Sequence, residues 1–161
     1  MKSEADAFSI DDLASRPGAT EPWDGVRNHQ AKAVLATMKV GDRALFWASN
    51  CKAPGVVGEV EVVRESYPDP AQFDAASRYY DAKATAAAPR WACVDVRLVR
   101  KLAAPVTLTA LRAHAGPGGA LAGMALFRQS RLSVQPVAAE EWAFVMALAA
   151  KAEAAAEAAA K

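Results

Sequence analysis

Histidine and cysteine are scarce in this 161-residue chain, at two of each. His29 and His114 stand far apart, and neither has a second ligand at metal-binding spacing. Cys51 and Cys93 make neither a CxxC pair nor a disulfide framework, which sets a reducing cytoplasm as the expected location. No apolar run approaches the ~18–20 residues of a membrane-crossing helix. Met1-Lys2-Ser3-Glu4-Ala5-Asp6 lacks the apolar core of a signal peptide. Gly118 and Gly123 have the spacing of a P-loop's glycines, but Met124-Ala125 stands where Lys-Ser/Thr is required. Nothing orients Cys51 and a histidine as a nucleophilic pair. These absences argue against catalytic residues, a metal site and a cofactor. Acids are also missing, from Val96 through Ala139, while Arg97, Arg100, Lys101, Arg112, Arg128 and Arg131 fall there. The first thirty residues lean the other way, with six acids against Lys2, Arg16 and Arg27. Net charge is only +1, so the asymmetry carries the information. A basic half reads as a phosphate-contacting face or as solvated arginines scattered over a surface.

What is present suits one domain over residues 1–150, with an alanine-rich helical or frayed tail over 151–161. Lys2-Ser3-Glu4 reads as the end of a strand. Ser9 and Asp12 make a capping box for a short helix, with Phe8 and Leu13 placed as a hydrophobic staple. Asn28 is a candidate N-cap for a second helix, whose Ala31, Val34, Leu35 and Met38 share one face and which Gly41 closes. Ala44 to Ala48 is a continuous apolar run, as in a strand buried on both faces. Val56 to Val63 alternates valines inward with Glu59 and Glu61 outward, and Gly58 marks a bulge or a close backbone approach. Phe73, Tyr79 and Tyr80 lie in a long loop expected to fold back onto the sheet. Trp91 to Val99 alternates again, with Arg97 able to pair with Glu59 or Glu61. Thr107 caps a short helix carrying Leu108 and Leu111, and Arg131 to Gln135 reads as a last strand. The final helix opens at Glu140 and Glu141 and carries a stripe of Trp142, Val145, Met146 and Ala149. The order predicts an α+β domain on a small, mostly antiparallel sheet.

The remaining chemistry is recognition. Ser3, Arg27, Asn28, Ser49, Asn50, Ser130 and Arg131 supply donors and acceptors at strand ends and a helix start. Trp23, Trp47, Trp91 and Leu132 supply flat or apolar surface. A flipped base is read by such a combination, through stacking on its faces and hydrogen bonds to its edge. Each residue also has a plainer role: a cap at Asn28, a turn at Ser49-Asn50, core at Trp47.

Trp23-Asp24-Gly25-Val26-Arg27-Asn28, Trp47-Ala48-Ser49-Asn50-Cys51-Lys52, Lys2-Ser3-Glu4 and Arg131-Leu132-Ser133-Val134-Gln135-Pro136 occur in that combination across nearly the whole chain. Together they resemble the EVE domain, a PUA-like family related to the YTH readers of methylated adenine. The resemblance implies a curled sheet or open barrel flanked by short helices. It also implies a non-catalytic, monomeric module whose pocket takes a modified base, with C5-modified cytosine in DNA favoured. RNA binding and a protein-interaction domain with a vestigial pocket are the alternatives. The base pocket expected from these runs comprises Lys2, Ser3, Trp23, Val26, Arg27, Asn28, Trp47, Ser49, Asn50, Ser130 and Leu132. The expected phosphate contacts are Lys52, Arg97, Arg100, Lys101, Arg128 and Arg131.

Overall fold

The apolar run after the second helix is the spine of the molecule, because consecutive residues of a strand point to opposite faces. In the computed structural model, which describes residues 1–160, this run is β3 (Arg43–Ser49). The elements in chain order are β1 (Lys2–Glu4), α1 (Ile10–Ser15), β2 (Thr20–Pro22), α2 (His29–Thr37), β3, β4 (Gly55–Pro68), β5 (Ala92–Thr107), α3 (Leu108–Arg112), α4 (Ala125–Arg128) and α5 (Ala139–Ala159). The strands form one five-stranded sheet in the order β1-β3-β4-β5-β2. Only the β1–β3 pair is parallel. The expected α+β class is what forms.

Two cores sit on the two faces of the sheet. Phe46 points into the first, with Ile10 and Leu13 of α1, Ala31 and Leu35 of α2, and Trp23, Val60, Val62, Val94 and Val96. Leu45 and Trp47, its neighbours along β3, point into the second, with Leu111, Leu126, Val145 and Ala149 from the last three helices. A strand buried on both faces therefore has to be apolar throughout, as β3 is. Phe46 is wholly buried, and burying one such side chain stabilises the fold by ~1.5–3 kcal/mol.

Local signals explain most of the remaining elements. The Ser9 hydroxyl accepts from Asp12 N–H at 3.1 Å while Asp12 accepts from Ser9 N–H at 2.7 Å, the reciprocal cap that starts α1. Asn28 Oδ1 accepts from Ala31 N–H at 3.0 Å and starts α2. Gly58 is a close approach, since a Cβ there would run into Ile10 and the Arg100 carbonyl. The pairing of β3 with β4 also shifts register beside it. Arg97 does pair with Glu61, at 2.8 Å.

Five expectations need correction or narrowing. Residues 131–135 form no strand; the run leaves a turn at Arg131 and bends at Ser133 and Val134, tied to β1 by Lys2 N–H donating to Ser133 O at 2.8 Å. Gly41 lies past the end of α2, which stops at Thr37, and serves instead in the turn into β3 with φ 93°. Glu59 is not outward: it is 9 % exposed, enclosed by Arg100 and Arg43. Phe73 and Tyr80 stay exposed, whereas Tyr79 folds in. The alanine-rich segment is helical rather than frayed. It continues α5 to Ala159, and its Glu153 accepts from Ala103 N–H at 3.1 Å and from Arg100 Nη1 at 3.4 Å.

Candidate nucleic-acid interface

The two cores open onto a common cavity. Trp23, from the first core, and Trp47, from the second, are each 7 % exposed, and both line it. Trp23 is held edge-on against Phe46 at 5.4 Å between ring centroids. The cavity measures about 1230 Å³, above the ~300–1,000 Å³ of usual small-ligand pockets. It is roomy enough for a base together with its sugar-phosphate flanks. Its lining brings together Lys2, Ser3, Trp23, Val26, Trp47, Ser49 and Ser130 of the expected base pocket. Parallel pairing explains why distant runs meet: Lys2 lies opposite Trp47 and Glu4 opposite Ser49.

Hydrogen bonding decides which polar atoms remain available. Ser3 donates its hydroxyl proton to Phe8 O at 2.5 Å, and Ser49 donates to Ser3 O at 3.0 Å. Each oxygen therefore keeps lone pairs to accept with, but no proton to give. Lys2 Nζ spends one proton on Ser130 O at 2.6 Å and keeps two. Burial lowers its pKa from the ordinary lysine value. The wall thus offers a cation, acceptors and aromatic surface, the equipment for holding a flat polar ligand.

Four members of the expected base pocket lie outside the lining. Asn28 is exposed and caps α2. Asn50 is exposed and shapes the turn after β3 with φ 52°, a conformation asparagine tolerates. Leu132 is buried in the first core. Arg27 turns away to clamp the 69–91 loop. Its Nε and Nη2 donate to Tyr79 O at 3.0 and 2.7 Å, and its Nη1 to Val26 O at 3.0 Å and Asp69 Oδ2 at 2.7 Å. Trp91 also serves the loop, donating Nε1–H to Asp81 at 2.7 Å and stacking on His29.

The expected phosphate set divides in the same way. Arg131 lines the cavity. Arg97, Arg100 and Lys101 do not; they pair with Glu61, Glu59 and Asp11. The basic half is thus partly neutralised by acids from other strands and from α1, which a count along the sequence does not register. Lys52 and Arg128 are exposed and outside the lining. Sequence reasoning missed Arg78 and Phe127 in the lining; it counted Arg16 and Arg112 as basic without placing them there, and it read Tyr79 only as part of a loop folding back onto the sheet. Among the described residues Arg78, Arg112 and Arg131 form no ion pair, so their charges face the cavity uncompensated.

Sequence placed Gly25 in the key run without its reason. Its φ is 76°, and a Cβ would stand 2.6 Å from the Tyr79 ring, so only glycine lets that ring close over the turn. Asp69 is fully buried and accepts from Gly25 N–H at 2.9 Å and Ala71 N–H at 2.8 Å besides Arg27. Gln72, also fully buried, donates to Asp69 O and Trp91 O and accepts from Arg90 and Trp91 N–H, each at 2.8–2.9 Å. A polar side chain in an otherwise irregular loop is the signal that could have found it, since a loop must satisfy its backbone somewhere.

Comparison with known proteins agrees with this architecture. The profile of the EVE domain matches residues 1–148. Human thymocyte nuclear protein 1 is 42% identical over 161 residues, covering 92% of this chain and 72% of that protein. The chicken protein of the same name is 45% identical over 145 residues, and there the match covers 88% of this chain but only 60% of the relative. The crystal structure of the DUF55 domain of the human protein superposes with a TM-score of 0.87 at 45% identity, covering 92% of this chain and 96% of that one. A structure of human THYN1 protein in complex with 5-methylcytosine-containing DNA superposes with a TM-score of 0.89 at 42% identity, covering 92% and 95%. The five-stranded sheet, curled into a half-barrel and flanked by short helices, is the PUA-like fold of these proteins, and the chain belongs to the EVE domain family.

Proposed function

We propose that this chain is a non-catalytic DNA-binding module that takes a C5-modified cytosine, methyl or hydroxymethyl, into the cavity between Trp23 and Trp47. The observation that carries the reading is that two buried tryptophans from opposite cores face one cavity whose rim is cationic. Aromatic walls gain from a base pulled out of its stack, at ~1–3 kcal/mol per base. Lys2, Arg78, Arg112 and Arg131 supply charge where the flanking phosphates of an extruded nucleotide would pass. A relative of the same fold in complex with 5-methylcytosine-containing DNA supports DNA as the polymer.

The test is fluorescence anisotropy on oligonucleotides identical except at one position, carrying 5-methylcytosine, cytosine or an abasic site. The modified base should bind tightest and the abasic site weakest, with matched RNA weaker than DNA. Equal affinity for all the DNA ligands would refute a base pocket. Tighter binding to the RNA would move the module to RNA.

A further inference from the structure

A pocket that senses a methyl group at C5 meets a second problem in DNA, because thymine carries the same methyl. 5-Methylcytosine and thymine differ at their edge: cytosine presents an amino group at position 4 where thymine presents a carbonyl oxygen. The apolar walls at Trp23, Val26 and Trp47 see the methyl and cannot see that difference. An acceptor fixed against position 4 would.

We infer that Asp24 is this discriminator, its carboxylate accepting from the N4 amino group of the bound cytosine and repelling the O4 of thymine. The assignment rests on the base-pocket reading above. Asp24 lines the cavity, directly after Trp23. The backbone on either side is pinned: Trp23 N–H donates to Val94 O at 2.7 Å, and Gly25 N–H to Asp69 Oδ2 at 2.9 Å. A short side chain on a fixed backbone is preorganised. Among the described residues no other side chain donates to Asp24, and no cation pairs with it. The other acids of the lining are less suited. Glu21 is engaged by Arg16 at 3.4 Å; Glu4 and Asp24 are both exposed, but Glu4 stands at the end of β1 on a longer, freer side chain.

The electrostatics agree with an acceptor that lacks its donor. Burial, then the charges of Asp69 and Glu21, raise the Asp24 pKa above the ordinary aspartate value, with Arg27 opposing. The cations of the cavity, Lys2, Arg16, Arg78, Arg112 and Arg131, leave the carboxylate unpaired. An incoming amino group supplies the missing proton donor, and an incoming carbonyl adds a further lone pair to a site already short of a donor.

The test compares 5-methylcytosine with thymine at one position of otherwise identical oligonucleotides, for the wild type, Asp24→Asn and Glu4→Gln. The ratio of the two affinities cancels the general gain in DNA binding that follows the loss of a negative charge. The wild type should prefer 5-methylcytosine about tenfold or more, as one well-placed edge contact allows. In Asp24→Asn the ratio should collapse towards one, because an amide can turn to offer either its oxygen or its NH₂. Glu4→Gln should keep the wild-type ratio. If Asp24→Asn discriminates as the wild type does, or Glu4→Gln alone loses the ratio, the assignment is overturned while the base pocket stands. If the wild type binds 5-methylcytosine no better than an abasic site, both fall. A thermal melt of each variant confirms that a folded protein was measured.

Discussion

Arg27 Nη1 lies 2.7 Å from Asp69 Oδ2, and the Asp69 side chain is wholly buried while 22% of the Arg27 side chain remains exposed. The pair joins the turn that carries Trp23 and Asp24 to the start of the 69–91 loop. Through Tyr79 O it also fixes the ring that closes over Gly25. An arginine in the most conspicuous run of the sequence is therefore scaffold for the cavity and not its lining.

Arg27→Lys should expose that role. An ammonium cannot reproduce the fork to Tyr79 O together with the bond to Asp69, and a buried carboxylate short of a donor is costly. A loss of about 2 kcal/mol is expected by urea unfolding, below the full cost of breaking a buried pair because Arg27 is partly solvated. Hydrogen exchange should quicken in the 69–91 loop. Unchanged stability would show that the loop is held by Gln72 and Trp91 alone.

Asn28→Asp tests the neighbouring position. Aspartate is as good a cap as asparagine, and Asn28 stands outside the cavity. Stability should stay within about 0.5 kcal/mol, and the preference for 5-methylcytosine over cytosine should be unchanged. A selective loss for the modified base, seen by anisotropy, would return Asn28 to the pocket.

How much of this was legible follows from what sequence patterns encode. The capping box at Ser9 and Asp12, the cap at Asn28 and the apolar strand at Leu45-Phe46-Trp47 are local, and each formed as read. Ser3, Trp23, Trp47 and Ser49 were placed together through the family resemblance; parallel pairing of β1 with β3 unites Ser3, Trp47 and Ser49, while Trp23 reaches the same cavity from the β2 edge of the sheet, held by Val94 O of β5. The orientation of Arg27 was not legible, because it depends on Asp69 and Tyr79, 42 and 52 residues away. Neither was the pairing of Arg100 with Glu59 and Glu153, 41 and 53 residues distant, which ties β5 to β4 and to α5. Local spacing does not encode which strand a charge will face.

The salt dependence of binding separates the two arginine groups. Arg112→Gln and Arg131→Gln should each flatten the slope of log affinity against log salt by about 0.9 for every duplex phosphate that the arginine neutralised. Arg97→Gln should leave it nearly unchanged, since its charge is already met by Glu61. The opposite pattern would put the DNA across the outer sheet and away from the cavity.

Removing residues from Ala152 onward should destabilise the domain. Glu153 is the partner of Ala103 N–H and Arg100, and losing two modest hydrogen bonds costs about 1–2 kcal/mol. Glu153→Gln should keep much of the bond to Ala103 and lose less. A truncated protein as stable as the whole in urea titration would mean that these bonds merely replace equivalent ones to water.

The most direct test of the cavity as a base pocket is an NMR spectrum of DNA carrying a single isotope-labelled 5-methyl group, recorded with saturating protein. Tryptophan rings shift the resonance of a methyl held against them. Entry of the base predicts a large displacement of the methyl signal and cross-peaks to the Trp23 and Trp47 rings. A methyl signal that stays at its free-DNA position in the saturated complex, with no cross-peak to either ring, would contradict the account.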